Sequence, residues 1–244
     1  MSDTLNWREL EMGFASIPAG SVARGEYVRL VMDSQYQMDF IFHVFPNTEG
    51  HEQEDASWQM WLETETASFP VGTPEFSCRV GSMIRHRGLL ANLSLRENLL
   101  LPFLYRMDHR ALVQATEEVE TVAEWLGMAS ALDERAGERS SYTHALVSLG
   151  RCMLAKPAII IAQEVHIGMS PERLLHFREL AGQALEQLGS GLVYLTATEH
   201  EGSGLVFSRT LTIDSEREML AFRNLEQNDL PDIGELPDID GMGD

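Results

Sequence analysis

The chain has 244 residues, 44% of them hydrophobic, enough for one large domain with a real core. It carries 38 Asp+Glu against 18 Lys+Arg, a formal charge of −20, so its surface repels nucleic-acid phosphates and anionic headgroups, and no nucleic-acid partner is expected. Cys78 and Cys152 give neither a disulfide framework nor a metal-ligand spacing. No uncharged apolar run approaches the ~18 residues of a membrane span, and the opening stretch lacks the features of a signal peptide.

Up to about Ile84 the chain reads as strand-rich. Leu10–Phe14, Tyr27–Val31, Trp58–Glu65 and Arg79–Ile84 are predicted strands, separated by Gly, Pro and acidic segments. After Tyr27–Val31 comes the loop "MDSQYQMD" (32–39), then an apolar run that can start a helix. Strand, loop, helix is the setting of a phosphate-binding P-loop, yet this loop holds no glycine and no lysine.

Helices then dominate. "SLRENLLLPFLYR" opens with a capping box, Ser94 with Glu97. A second helix runs from about Asp108 to Leu126, its apolar positions at helical spacing, and Gly127 stops it. A third covers about Ser141–Leu154. Ala158–Ala162 ("AIIIA") is the pattern of a strand buried on both faces. Ser170-Pro171 is an N-cap and N1 pair for a helix to Leu188, ended by Gly189. Leu192–Ala197 and Thr210–Asp214 are further strands. The alternation predicts an α/β fold with a parallel sheet. From residue 224 the composition changes: seven of the last 21 residues are acidic, none is basic, and "LPDI" occurs twice. A mobile acidic tail over 224–244 is expected, with the residues after about Asn228 dispensable for folding.

The order of these segments resembles the ATPase subunit of an ABC transporter. "GSMIRHRGLLANLSLRENLLLPFLYR" (81–106) is similar to the Q-loop and following helix, closest to ATPases of Mla/Mce-type lipid transport systems. "GERSSYTHALVSLGRCMLAKPAIIIAQEVHIGMS" (137–170) resembles the signature helix running into Walker B, and "GLVYLTATEHEGSGLVFSRTLTID" (191–214) the H-loop strand, short helix and last strand. The resemblance implies a P-loop ATPase fold over 1–223: a mixed or parallel sheet core, a small antiparallel β subdomain and a helical subdomain over about 86–150.

It also implies where the chemistry should stand. Aligning Gly25-Glu26 with the family's "GE" lays Met32 through Phe40 over the P-loop. Met32 and Gln37 take glycine positions, with Ser34 between them. Met38 takes the lysine position, and Asp39 and Phe40 the Ser/Thr positions. The Q-loop glutamine falls on Arg85, beside His86. Ser140 survives in the signature, but its glycines do not. The Walker B aspartate becomes Gln163, with Glu164 left as a vestigial base, and the H-loop histidine falls on Thr198. The only lysine in the chain is Lys156. This pattern implies lost or weak ATP and magnesium binding, no cofactor, and a pseudo-ATPase.

Other clusters carry bland readings. Glu164, His166, Glu199 and His200 fit no standard metal spacing, so no metal is expected. Trp58, Trp61, Phe69 and Phe76 are expected in the β-subdomain core. The family's Q-loop and helical subdomain hold a coupling helix of the permease. The resemblance therefore implies a partner surface at Arg85, His86, Leu90 and Leu93. The implied partners are a membrane permease and a second cassette, as a homodimer or a heterodimer with an intact ATPase, on the cytoplasmic face of the inner membrane. Two alternatives stay open: a soluble regulatory module detached from any transporter, and an ATPase with unconventional ligands.

Overall fold

The structure is a computed structural model that describes residues 3–11, 16–32, 38, 60–84, 89–105, 109–137, 139–163, 165, 167–198 and 205–213. The acidic tail, Trp58, and the predicted strand residues 12–14 lie outside the described residues.

Eleven strands and five helices are described. In chain order they are β1 (Thr4–Trp7), β2 (Leu10–Glu11), β3 (Ser16–Ile17), β4 (Gly20–Ala23), β5 (Tyr27–Met32), β6 (Met60–Glu63), β7 (Ser68–Pro70), α1 (Pro74–Arg79) and β8 (Val80–Ile84). Then follow α2 (Leu95–Tyr105), α3 (His109–Trp125), α4 (Ser141–Ala155), β9 (Ile159–Gln163), α5 (Pro171–Leu188), β10 (Gly191–Thr196) and β11 (Arg209–Ile213). Five strands form one sheet in the order β11-β5-β10-β9-β8, each neighbouring pair parallel. A four-stranded antiparallel sheet, β4-β1-β6-β7, lies apart from it, with β2 and β3 as a small separate pair.

The parallel sheet is covered on both faces, and residue parity says by what. Ile159 and Ile161 of β9, with Val193 and Leu195 of β10, share a hydrophobic cluster with Leu5, Val22, Leu62 and Phe76 of the antiparallel side. Ile160 and Ala162, with Leu192 and Tyr194, join the cluster built by α2 to α5. Side chains alternate along a strand, so one strand serves two cores. That is why β9 and β10 read as continuous apolar runs, every residue buried.

The predicted helix ends are found in place. Glu97 N–H donates to Ser94 Oγ (3.1 Å), while Glu97 Oε2 accepts from Ser94 N–H (2.7 Å). Ser140 and Ser170 cap α4 and α5, and Gly189 closes α5 at φ +59°, where a Cβ would be strained. Gly150 serves a different need: a Cβ there would meet Leu99 Cδ2 at 2.7 Å, so α4 and α2 cross closely because residue 150 has no side chain.

Six elements depart from the sequence expectations. β1, β3, β4, β7 and α1 were not predicted, and Leu10–Phe14 yields strand only at Leu10–Glu11 among its described residues. These pieces are two to six residues long, too short to show a period, and β1 is held by pairing with β4 and β6 on either side. Trp61 also corrects an expectation. It sits half-buried on the outward face of β6, its Nε1–H donating to Glu63 Oε2 (3.0 Å), whereas Phe76 is fully in the core.

Candidate functional site

In parallel α/β sheets, ligands sit at the carboxyl ends of the strands. Here those ends are aligned by register: Ile213 pairs with Met32, Thr196 with Val31, and Gln163 with both Leu195 and Ile84. Met32, Gln163, Thr196 and Ile213 are all buried. Met38, at the aligned lysine position, is 1% exposed and belongs to the same hydrophobic cluster as Met32 and Ile213. None of these five side chains carries charge. The chain's lysine lies toward the opposite, amino ends of the strands: Lys156 is the left-handed C-cap of α4 (φ +49°), three residues before β9 begins. Four strand steps of about 3.3 Å place it at least ~13 Å from the Gln163 end.

Ser140 does structural work. Its Oγ accepts the Thr143 N–H at 3.4 Å and caps α4. Tyr142, two residues on, is tied to α5: its hydroxyl lies 2.5 Å from His176 Nδ1, the rings stack at 6.2 Å, and the Arg173 guanidinium lies 5.5 Å from the Tyr142 ring centroid. Burial raises the Tyr142 pKa above the ordinary phenol value, with the Arg173 charge acting the other way. The loop after β9 passes close by, since a Cβ on Gly168 would lie 3.0 Å from Ser141 Oγ. Thr198 is exposed just past β10, its N–H donating to Thr196 Oγ1 at 3.4 Å. Ser34, Gln37, Asp39, Phe40 and Glu164 lie outside the described residues.

The predicted partner surface is described in part. Arg85 and His86 lie outside the described residues, Leu93 is half-buried, and Leu90 is 42% exposed. Leu90 is held by a residue that sequence reading missed. Asn98 is fully buried in the first turns of α2. Its Oδ1 accepts the Leu90 N–H (2.8 Å), and its Nδ2 donates to Leu90 O (3.0 Å) and Ser94 O (2.9 Å). Arg151 of α4 donates through Nε to the Asn98 carbonyl at 2.7 Å. Burial pulls the Arg151 guanidinium down to about 10, so it stays charged at neutral pH and donates as a cation. The signal in the sequence was a polar residue at 98, at core spacing from Leu95 and Leu99. Leu104 and Tyr105, at the far end of α2, are also exposed.

The fold is that of solved ATP-binding cassettes. The fold matches MJ1267, an ATP-binding cassette of an ABC transporter in its ADP conformation, with a TM-score of 0.58 and 15% identity, over 80% of this chain and 82% of that one. It also matches a dimeric post-hydrolysis cassette, MJ0796 bound to ADP and Pi, with a TM-score of 0.54 and 16% identity, over 80% and 88% of the two chains. In sequence the chain is similar to proteins named as ATP-binding proteins of import and release systems. It is 27% identical over 185 residues to LolD, the lipoprotein-releasing system ATP-binding protein of Myxococcus xanthus, covering 73% of this chain and 78% of the relative. It is 21% identical over 182 residues to LolD of Acinetobacter baylyi, covering 73% and 77%. The molybdenum import ATP-binding protein ModC of Paramagnetospirillum magneticum is 26% identical over 136 residues, and there the match spans 54% of this chain but only 35% of the relative. No family model matches.

Proposed function

We propose that this chain is a catalytically degenerate ABC cassette, a structural or regulatory subunit that binds a permease on the cytoplasmic face of the inner membrane. The observation that carries this reading is Met38. At the position that the sequence alignment gives to the family's lysine, a thioether is buried in the core, and the one lysine of the chain lies before the amino end of β9. Backbone amides alone, without lysine, a hydroxyl for magnesium or a Walker B aspartate, hold triphosphate poorly. The cargo we assign is a lipid or lipid-modified substrate. Two relatives are named for lipoprotein release, and the 81–106 segment resembles Mla/Mce-type ATPases. The chain then pairs with a second cassette, itself or an intact ATPase.

Calorimetry at millimolar Mg-ATP tests the loss. We expect no specific heat of binding and no phosphate release. A saturable, magnesium-dependent isotherm with turnover abolished by Glu164→Gln would establish an active ATPase with unconventional ligands instead.

A further inference from the structure

On the face of the parallel sheet opposite Met38, an open cavity of about 440 Å³ lies among α3, α4 and α5. Its volume is within the range of small-molecule sites, roughly 300–1,000 Å³. Its lining comes from the C-terminal parts of all three helices: Trp125 in the last turn of α3, Met153 and Lys156 at the end of α4, and Leu188 at the end of α5. The carbonyl ends of three helix dipoles therefore gather here, and none of the three helices has a basic residue in its last turn. Glu117 and Glu118, two turns before the end of α3, add two carboxylates to the rim.

One ammonium is already held there. Lys156 Nζ lies 2.8 Å from Glu118 Oε2, and Gln114 Nε2 donates to the same carboxylate at 2.9 Å. The hydrogen bond from Lys156, then that from Gln114, holds the Glu118 pKa below the ordinary carboxylate range. Glu117 and the Trp125 indole have no hydrogen-bond or ionic partner among the described residues. One lysine against two carboxylates and three carbonyl termini leaves the cavity net negative, with an aromatic wall. That combination favours a cation with an apolar body.

We propose that this cavity binds a small organic ammonium ion, its charge beside Glu117 and its apolar body against Trp125, Met153 and Leu188. Lys156 is then a resident competitor, because its ammonium occupies one of the two carboxylates. This gives opposite signs for two neighbouring substitutions: Glu117→Gln removes the ligand's counter-charge, and Lys156→Gln removes the competing cation.

The probe is phenethylammonium, with phenethyl alcohol as its uncharged counterpart, titrated calorimetrically into the full chain at low salt. We expect saturable binding of the amine, about tenfold or more weaker for the alcohol. Glu117→Gln should weaken the amine several-fold and Lys156→Gln should strengthen it, each variant first shown by circular dichroism to be folded. Equal binding of amine and alcohol overturns the proposal, as does no saturable binding at millimolar amine. A Glu117→Gln variant that binds like wild type overturns it as well. Trp125→Leu adds a check on the apolar half of the site, since it should lower affinity for both probes.

Discussion

Lysine and methionine at position 38 ask opposite things of their surroundings. A P-loop lysine needs its ammonium pointed out of the protein toward phosphate, whereas Met38 is 1% exposed and packs with Met32, Leu30 and Ile213. A lysine placed there must bury a charge among apolar groups, which costs several kcal/mol unless it is paired. Met38→Lys is therefore expected to lower unfolding stability by about 3 kcal/mol or more, and Met38→Leu, of similar volume, by less than about 1.5 kcal/mol. Urea denaturation of the two variants measures this. If Met38→Lys melts like wild type and gains Mg-ATP affinity, the position is a usable phosphate site and the core assignment is wrong. That the 32–39 stretch holds no lysine was legible in the sequence, because the chain's single lysine is Lys156. The burial of Met38 was not, because exposure at position 38, which is helical rather than loop, depends on strands far away in the chain.

Glu26 shows how one side chain joins elements. It ends the turn between β4 and β5, where its Oε2 accepts the Ala23 N–H (3.0 Å) and its Oε1 accepts from the Ser208 hydroxyl and from Arg209 (3.0 Å each). The turn is thereby tied to the start of β11, more than 180 residues further along. Burial raises its pKa, but the Ala23 amide, Ser208 and Arg209 outweigh that and hold the carboxyl below the ordinary carboxylate range. The folded pKa is thus lower than the unfolded one. This stabilisation is present above the unfolded pKa and is lost as pH falls through the folded value. Glu26→Gln should cost about 1 kcal/mol at neutral pH, and the gap from wild type should close on the acid side of the ordinary carboxylate range. Thermal melts of both proteins across that range check it, and a gap independent of pH would assign the effect to shape. At this scale the sequence was most legible where local chemistry decides. Ser94, Ser140, Ser170 and Gly189 mark helix ends through their own bonds or dihedrals, and Ile159–Gln163 shows its double burial directly. It was least legible at Thr4–Trp7 and Gly20–Ala23, whose strand form comes from their partners. Asn98 was missed for a related reason: its worth lies in the Leu90 loop and Arg151, which only the fold brings to it.

Across the whole molecule, the proposed loss of nucleotide chemistry and the proposed retention of a docking surface make separable claims. Leu90 stands exposed on a loop clamped by Asn98, and Arg151 of α4 braces that clamp, so the loop is a preformed surface with little ordering cost left to meet on binding. Because Leu90 is 42% exposed, Leu90→Asp should leave folding stability within about 0.5 kcal/mol of wild type. An aspartate buried unpaired under a partner helix costs about 2–5 kcal/mol of binding. Leu175→Asp is the control, a more exposed leucine (61%) on α5 that adds the same charge to the same acidic chain on a different element. The measurement is recovery of the permease with tagged protein from detergent-solubilised membranes. We expect Leu90→Asp to lose at least about nine-tenths of the permease, as a penalty near 2 kcal/mol implies, and Leu175→Asp to keep it. Equal loss in both variants would point to the added charge alone, and full retention in Leu90→Asp would remove this loop from the interface. If wild type itself recovers no permease, the chain acts detached from any transporter.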